Sequence, residues 1–409
     1  MAQMTATREA PSYLAVTLLT YFMFFMFAMT TESIGEVIKL AKAEMGLTNI
    51  QASALHWSTM SAIALSGIFL GFVADKFGRK YTVMGGLLLY GLASGLFLFQ
   101  STFLAYVVLL FCTGIAIGLF KTAALALIGD ITTSADHHTK KMNMVEGFFG
   151  VGAIFGPLLV VLFNEQGLRW NYLYALAAFM CFAMILAAAM TQYPTSNQST
   201  DSIDLRRSFK YLGNRYAMGF SFACAMYVGC EVAIFVWLPS FLEGYTGSPF
   251  AMKFAAYAVM IFFVLRALGR FLGVWLLNHF DWKLVMLGFS LLIFVCFLAS
   301  AVFGQSVALY SLPLTGLFMS MIYPTLNSKG ISCFPKSEHG SVAGVILFFT
   351  AASAAIAPLM MAYAADLLGG GNLRVGFSLA TLFAAALMIM AIYNFIYNPA
   401  GETLTAADD

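Results

Sequence analysis

The sequence predicts an all-α membrane protein, with twelve transmembrane helices in two pseudo-symmetric six-helix bundles. Three observations lead there. First, apolar residues make up 61% of the 409-residue chain and charged residues only 10%, and the mean hydropathy is +0.85. Polar surface is too scarce to cover that apolar mass in water, so lipid is the expected solvent. Second, the apolar residues gather into twelve stretches, each of about the 20 residues a span requires. Third, every connection is short except a polar, Ser- and Thr-rich one near the midpoint, residues 191–213.

The stretches fall near 12–40, 50–74, 81–100, 103–130, 142–163 and 170–190 before the polar link. After it they fall near 216–242, 249–277, 284–303, 307–332, 341–367 and 375–397. The first is too long for a cleavable leader and lacks a small-residue cleavage site, so none is expected. The organisation expected is a bundle over 1–190, a linker over 191–213 and a second bundle over 214–409. A weak repeat supports the division. Gly273-Val-Trp-Leu-Leu-Asn-His-Phe-Asp-Trp-Lys283 occupies the second-half slot that Gly71-Phe-Val-Ala-Asp-Lys-Phe-Gly-Arg-Lys80 occupies in the first.

Basic residues set the orientation. With both termini cytoplasmic, thirteen of the 21 Lys and Arg lie inside. Five (Lys39, Lys42, Arg169, Lys253, Arg374) lie outside, and three (Lys121, Arg266, Arg270) lie within spans. The net charge of +2 says little about partners. The six cysteines stand singly and read as small hydrophobes in packed helices.

An ionisable side chain in the bilayer core costs roughly 2.5–3.5 kcal/mol and persists only facing protein or water, so such residues map a solute route. Spans three, six, nine and twelve carry no central charge. Spans one, four and seven carry Glu32, Lys121 and Glu231, while span ten carries Tyr323, Asn327 and an expected break at Pro324. Lys121 has no acid nearby on its own helix, and Glu32 is its first candidate partner. That pair reads either as a switch or as a fixed clamp between two helices. Glu231 reads as a proton carrier or as a carboxylate paired with Arg266 or Arg270. Tyr227, Trp57, Trp237 and Tyr323 have faces suited to a sugar ring, but packing is the commoner role of an aromatic. His56 reads first as an interface histidine, and Glu146 and Asp130 as gating or capping groups.

The segment Gly71-x-x-x-Asp75-x-x-Gly78-Arg79-Lys80 resembles the signature loop between helices two and three of the major facilitator superfamily. The resemblance implies that helices one, four, seven and ten line a central cavity, which matches the charges above. It also implies that these five residues form a gating hairpin. Three further passages resemble the fucose–proton symporter family. They are Phe24–Met29 with Gly46–Gln51, Tyr227–Ala233 with Arg266–Gly273, and Phe318–Asn327. The departures are informative. Lys121 precedes Thr122-Ala-Ala124 where that family carries an acid. Gly35, flanked by Glu32 and Glu36, falls near its helix-one acid, and Phe149 replaces a sugar-contacting asparagine.

The expectation is a secondary transporter importing a small polar solute, a monosaccharide or derivative, by proton symport and alternating access. Sodium is the alternative coupling ion. The site expected is Glu32, Lys121, Glu231, Tyr323, Asn327, Trp57, Tyr227 and Arg266. A lysine beside carboxylates also suits an acidic sugar or another organic anion. Two other readings stand. One is a proton-coupled exporter of drugs or organic anions, whose helix-five motif is incomplete here after Gly156-Pro157. The other is a non-transporting sensor or lipid-handling scaffold. No phosphate loop, nucleophile elbow or metal-spaced cluster occurs in the sequence, so no enzyme activity, cofactor, metal or nucleic-acid partner is expected. The chain is read as a monomer in a bacterial inner membrane.

Overall fold

The computed structural model describes residues 13–70, 73–132, 135–194, 210–335 and 339–401. The first half comprises α1 (Leu14–Thr31), α2 (Ile34–Met45), α3 (Asn49–Phe69), α4 (Val73–Phe77), α5 (Arg79–Leu96), α6 (Phe103–Asp130), α7 (Ala135–Glu165) and α8 (Tyr172–Met190). The second comprises α9 (Arg215–Phe241), α10 (Pro249–Ala256), α11 (Ala258–His279), α12 (Trp282–Phe303), α13 (Gln305–Met319), α14 (Ile322–Ser332), α15 (His339–Tyr363) and α16 (Leu373–Tyr397). With α1–α2 and α13–α14 each forming one broken span, and α4 and α10 short, this is a twelve-span all-α protein. Eleven of the spans are recognisable by length and hydropathy alone. The twelfth is α3, whose Asn49, Gln51, Ser53, His56, Ser58, Thr59, Ser61 and Ser66 dilute its apolar character. Those residues mark a helix that faces protein.

Pseudo-symmetry shows in the packing partners. In the first half α1 packs on α7, α3 on α6, and α5 on both α6 and α8. In the second, α9 packs on α15, α11 on α13, and α12 on both α13 and α16. Glycine permits the close approaches. A Cβ on Gly152 or Gly156 of α7 would strike the Phe25 or Met29 carbonyl of α1, and one on Gly316 of α13 would strike the Phe262 carbonyl of α11.

Three breaks differ from a plain span. Thr30, Thr31 and Ser33 each turn a hydroxyl back onto a carbonyl of the preceding turn, at 2.9–3.0 Å, and α1 ends there before α2 resumes. In span ten the break lies at Ser320–Met321, not at the expected Pro324. The proline sits in the first turn of α14, where its missing N–H removes no helical bond. The stretch expected over 249–277 is likewise divided, at Tyr257 between α10 and α11.

The halves meet along three seams, α3 with α15, α2 with α9, and α7 with α11. The polar bonds crossing them among the described residues lie from mid-membrane to the face opposite the chain ends, here termed the distal face. Asn49 Nδ2 donates to Asp366 Oδ1 at 2.6 Å and to the Gly371 carbonyl at 3.1 Å. The Ile50 N–H donates to Asp366 Oδ2 at 2.8 Å. Tyr257 Oη donates to the Glu165 carboxylate at 3.1 Å. Where α2 crosses α9, Gly35 lies so close to the Phe235 carbonyl that no Cβ fits between them.

Candidate functional site

Between the halves, at mid-membrane, charged side chains converge from four spans. Glu32 caps the C-terminal end of α1 and is 9% exposed. It is held there by the break described above, and its Oε1 accepts from Thr31 Oγ1 at 3.3 Å. Glu231 of α9, also buried, pairs with Arg266 of α11 through an Oε1–Nη1 contact of 2.5 Å. Of the two arginines weighed in sequence, Arg266 is the partner. Lys121 of α6 feels the charges of Glu32 and Glu146, and Glu32 in turn feels Glu231, Arg266 and Lys121. Glu146 is exposed on α7.

The structure does not join Glu32 and Lys121 as an ion pair. The ammonium of Lys121 lies over the Phe27 ring, 5.1 Å from its centroid, and Phe27 is itself edge-on to Phe149 at 5.4 Å. The reason is local. Glu32 sits at a helix end, with its carboxylate tied to the adjacent threonine, so it does not reach along the cavity to α6.

Tyr227 is fully buried one turn before Glu231 and stacks on Tyr323 of α14 at 6.1 Å and 29°. Asn327 follows Tyr323 by four residues on the same half-buried face of α14. The Tyr227 hydroxyl and Arg266 Nε are buried with no hydrogen-bond partner among the described residues. Such atoms cost free energy unless a ligand or water completes them. The arrangement therefore brings together a paired acid and base, a second acid and an ammonium, with two stacked tyrosines beside them.

Trp57 does not join this cluster among the described residues. It is 44% exposed on α3, about 100° around the helix from His56. His56 instead bridges the halves, its Nε2 donating to the Ala354 carbonyl of α15 at 3.0 Å, with its ring edge-on to Phe235. Its Nδ1 is buried with no hydrogen-bond partner among the described residues. Trp237 anchors α9 within the second half, its Nε1 donating to the Pro358 carbonyl at 3.0 Å.

The signature hairpin is visible in part. Gly71 lies outside the described residues, as does the side chain of Asp75 and most of the 191–213 link. Gly78 takes φ +84°, a conformation that favours glycine. Arg79 is buried, its Nε donating to Asp130 Oδ2 at 3.2 Å at the end of α6. Lys80 Nζ donates to the Ala189 and Thr191 carbonyls at 3.0 Å, satisfying the C-terminal end of α8. Both side chains thus bind helix ends, a role that reading them as positive-inside charges did not anticipate.

Fold and hairpin agree with a match to the family model of the Major Facilitator Superfamily over residues 13–358. The chain belongs to this superfamily. It is 24% identical over 427 residues to the L-fucose-proton symporter of Escherichia coli strain K12, with 94% of each chain covered. To the glucose/galactose transporter of Brucella abortus it is 23% identical over 385 residues, covering 89% of this chain and 91% of that one. To the cis,cis-muconate transport protein of Acinetobacter baylyi it is 26% identical over 360 residues, covering 82% and 83%. Among solved structures, a D-xylose-proton symporter superposes with TM-score 0.72 at 15% identity over 93% of this chain and 97% of that one. The transporter FucP in its outward conformation gives 0.62 at 22% identity over 94% and 99%. As a multi-pass membrane transporter, the protein is not an enzyme.

Proposed function

We propose that the protein imports a small polar solute, a monosaccharide or sugar derivative, by proton-coupled symport with alternating access of its two halves. The single observation carrying this reading is the approach of Glu32 from one half to Glu231 and Arg266 from the other, with Lys121 acting on Glu32 from its own half. A solute held there contacts both halves, so its binding energy differs between facing states. Trp57 is left out of the proposed site. Relatives named for fucose, glucose or galactose support the substrate class, and those named as proton symporters support the coupling ion.

The distribution of Lys and Arg supports cytoplasmic termini in a bacterial inner membrane. On that orientation, the sealed distal face is the outer one and the described conformation faces inward. Glu32 is the proposed proton carrier, because Glu231 already has a cation at 2.5 Å and Glu32 has none within 4 Å among the described residues. The protein is taken to work as a monomer.

Proteoliposomes with an imposed acid-outside gradient test the reading, using a panel of neutral sugars, sugar acids and hydrophobic cations. Gradient-driven accumulation of a sugar or sugar derivative supports it. Uptake that ignores pH and follows a sodium gradient replaces the coupling ion. Extrusion of the cations would replace importer with exporter, and ligand binding without accumulation would replace transporter with sensor.

A further inference from the structure

Given the transport reading above, we infer that the solute is a small polyhydroxylated monoanion, with a carboxylate that docks on Lys121, and that each cycle moves one proton with it, electroneutrally. The inference starts from how charges are partnered. Glu231 and Arg266 satisfy one another in direct contact. Lys121 has no carboxylate within 4 Å among the described residues and lies over the Phe27 ring. An ammonium in a bilayer core demands a counter-ion or water, and a cation–π contact contributes much less than a charge-assisted hydrogen bond. The direct counter-ion position at Lys121 is therefore left for cargo.

The remaining groups suit the rest of such a molecule. The Tyr227 hydroxyl and Arg266 Nε, without partners among the described residues, provide hydrogen bonds for hydroxyls. The Tyr227–Tyr323 stack provides a flat face.

Glu32 completes the balance. The charges around it are Lys121 on α6, Glu231 on α9 and Arg266 on α11, with Glu146 on α7 also acting on Lys121. While Glu32 is ionised it competes, through space, for the field of Lys121. When Glu32 takes a proton, Lys121 keeps only the field of Glu146 and its attraction for the anion rises. Proton and monoanion then enter and leave together. Because the protein returns to its starting state each cycle, the net charge moved equals that of the cargo, which is zero.

The test uses the full chain in proteoliposomes with radiolabelled gluconate and glucuronate, beside glucose and galactose as neutral counterparts. We expect accumulation of an acid, driven by an acid-outside gradient and unchanged by a valinomycin-imposed potassium diffusion potential of either sign. Lys121→Gln should lower that uptake roughly 10- to 100-fold, the loss of one charge-assisted contact, and Lys121→Arg should restore part of it. Thermal melting of both variants separates lost binding from lost folding. Accumulation of the neutral sugars alone, accelerated by an inside-negative potential and indifferent to Lys121→Gln, overturns this inference while leaving the transport reading intact. Uptake of neither class, in protein that melts cooperatively, overturns both.

Discussion

Asp366 in the second half closes the first turn of α3 in the first, its Oδ2 accepting from the Ile50 N–H at 2.8 Å and its Oδ1 from Asn49 Nδ2 at 2.6 Å. The helix start already carries a capping box, in which the Gln51 N–H reaches Thr48 Oγ1 and the Thr48 N–H reaches Gln51 Oε1. Asp366 therefore satisfies an N–H the box leaves over, and places a carboxylate at the positive end of the helix. Lys42 extends the network, its Nζ donating to Asn49 Oδ1 at 2.6 Å. The network ties the two halves together on the distal face, and on the alternating-access reading proposed above it is the latch that opens.

Asp366→Ala should shift the population towards distal opening. Losing these partly exposed bonds is expected to cost the sealed state about 1–2 kcal/mol, roughly a 5- to 30-fold change in population. A cysteine at Ile38, fully buried on α2, reports it. Labelling by a membrane-impermeant maleimide should quicken in the Asp366→Ala background relative to Ile38→Cys alone. Equal rates would mean the latch carries no bias.

The Glu231–Arg266 pair makes a prediction about stability. Glu231→Gln leaves a guanidinium without its acid, and breaking a buried pair from one side costs about 3–5 kcal/mol. The lower end applies, because the Arg266 side chain is 21% exposed. Melting temperatures in detergent should fall for Glu231→Gln and for Arg266→Gln. The double variant should recover part of the loss, and strict additivity of the two losses would argue against a direct pair.

Glu32→Gln fixes that side chain in a form that cannot release a proton. Net uptake driven by a pH gradient should collapse, while exchange of internal for external solute persists. Measuring both modes in one vesicle preparation distinguishes a proton carrier from a residue that merely holds solute, whose replacement would weaken both equally.

Two glycines of α7 should respond oppositely to alanine. At Gly156 a methyl meets the Met29 carbonyl of α1, whereas at Gly147 nothing lies within 4 Å. Gly156→Ala should sharply reduce the yield of folded protein. Gly147→Ala should be neutral or stabilising by about 0.5–1 kcal/mol through reduced backbone freedom. Gel-filtration monodispersity and melting temperature provide the comparison.

The spans and the charge-bearing helices were legible because both follow from one local rule, that lipid excludes charge unless protein or water receives it. The Glu231–Arg266 pair could be shortlisted in sequence, since only two arginines lie within neighbouring spans. The separation of Glu32 from Lys121 could not, because it depends on a helix ending at Thr31 and on a ring intervening from Phe27. Sequence reading also passed over Asp366. Its partner Asn49 lies 317 residues away, and no periodicity links them. The Thr48–Gln51 capping pattern was the available hint, marking a helix start where an acid from elsewhere would be welcome. Trp57 was chosen for its chemistry alone, since an indole suits a sugar as readily as a bilayer.

Where α2 crosses α9, the tight fit of Gly35 against the carbonyl of Phe235 sets occlusion apart from recognition. The plug there is made of main chain, a glycine set against a carbonyl. A single methyl group at position 35 should prop the door.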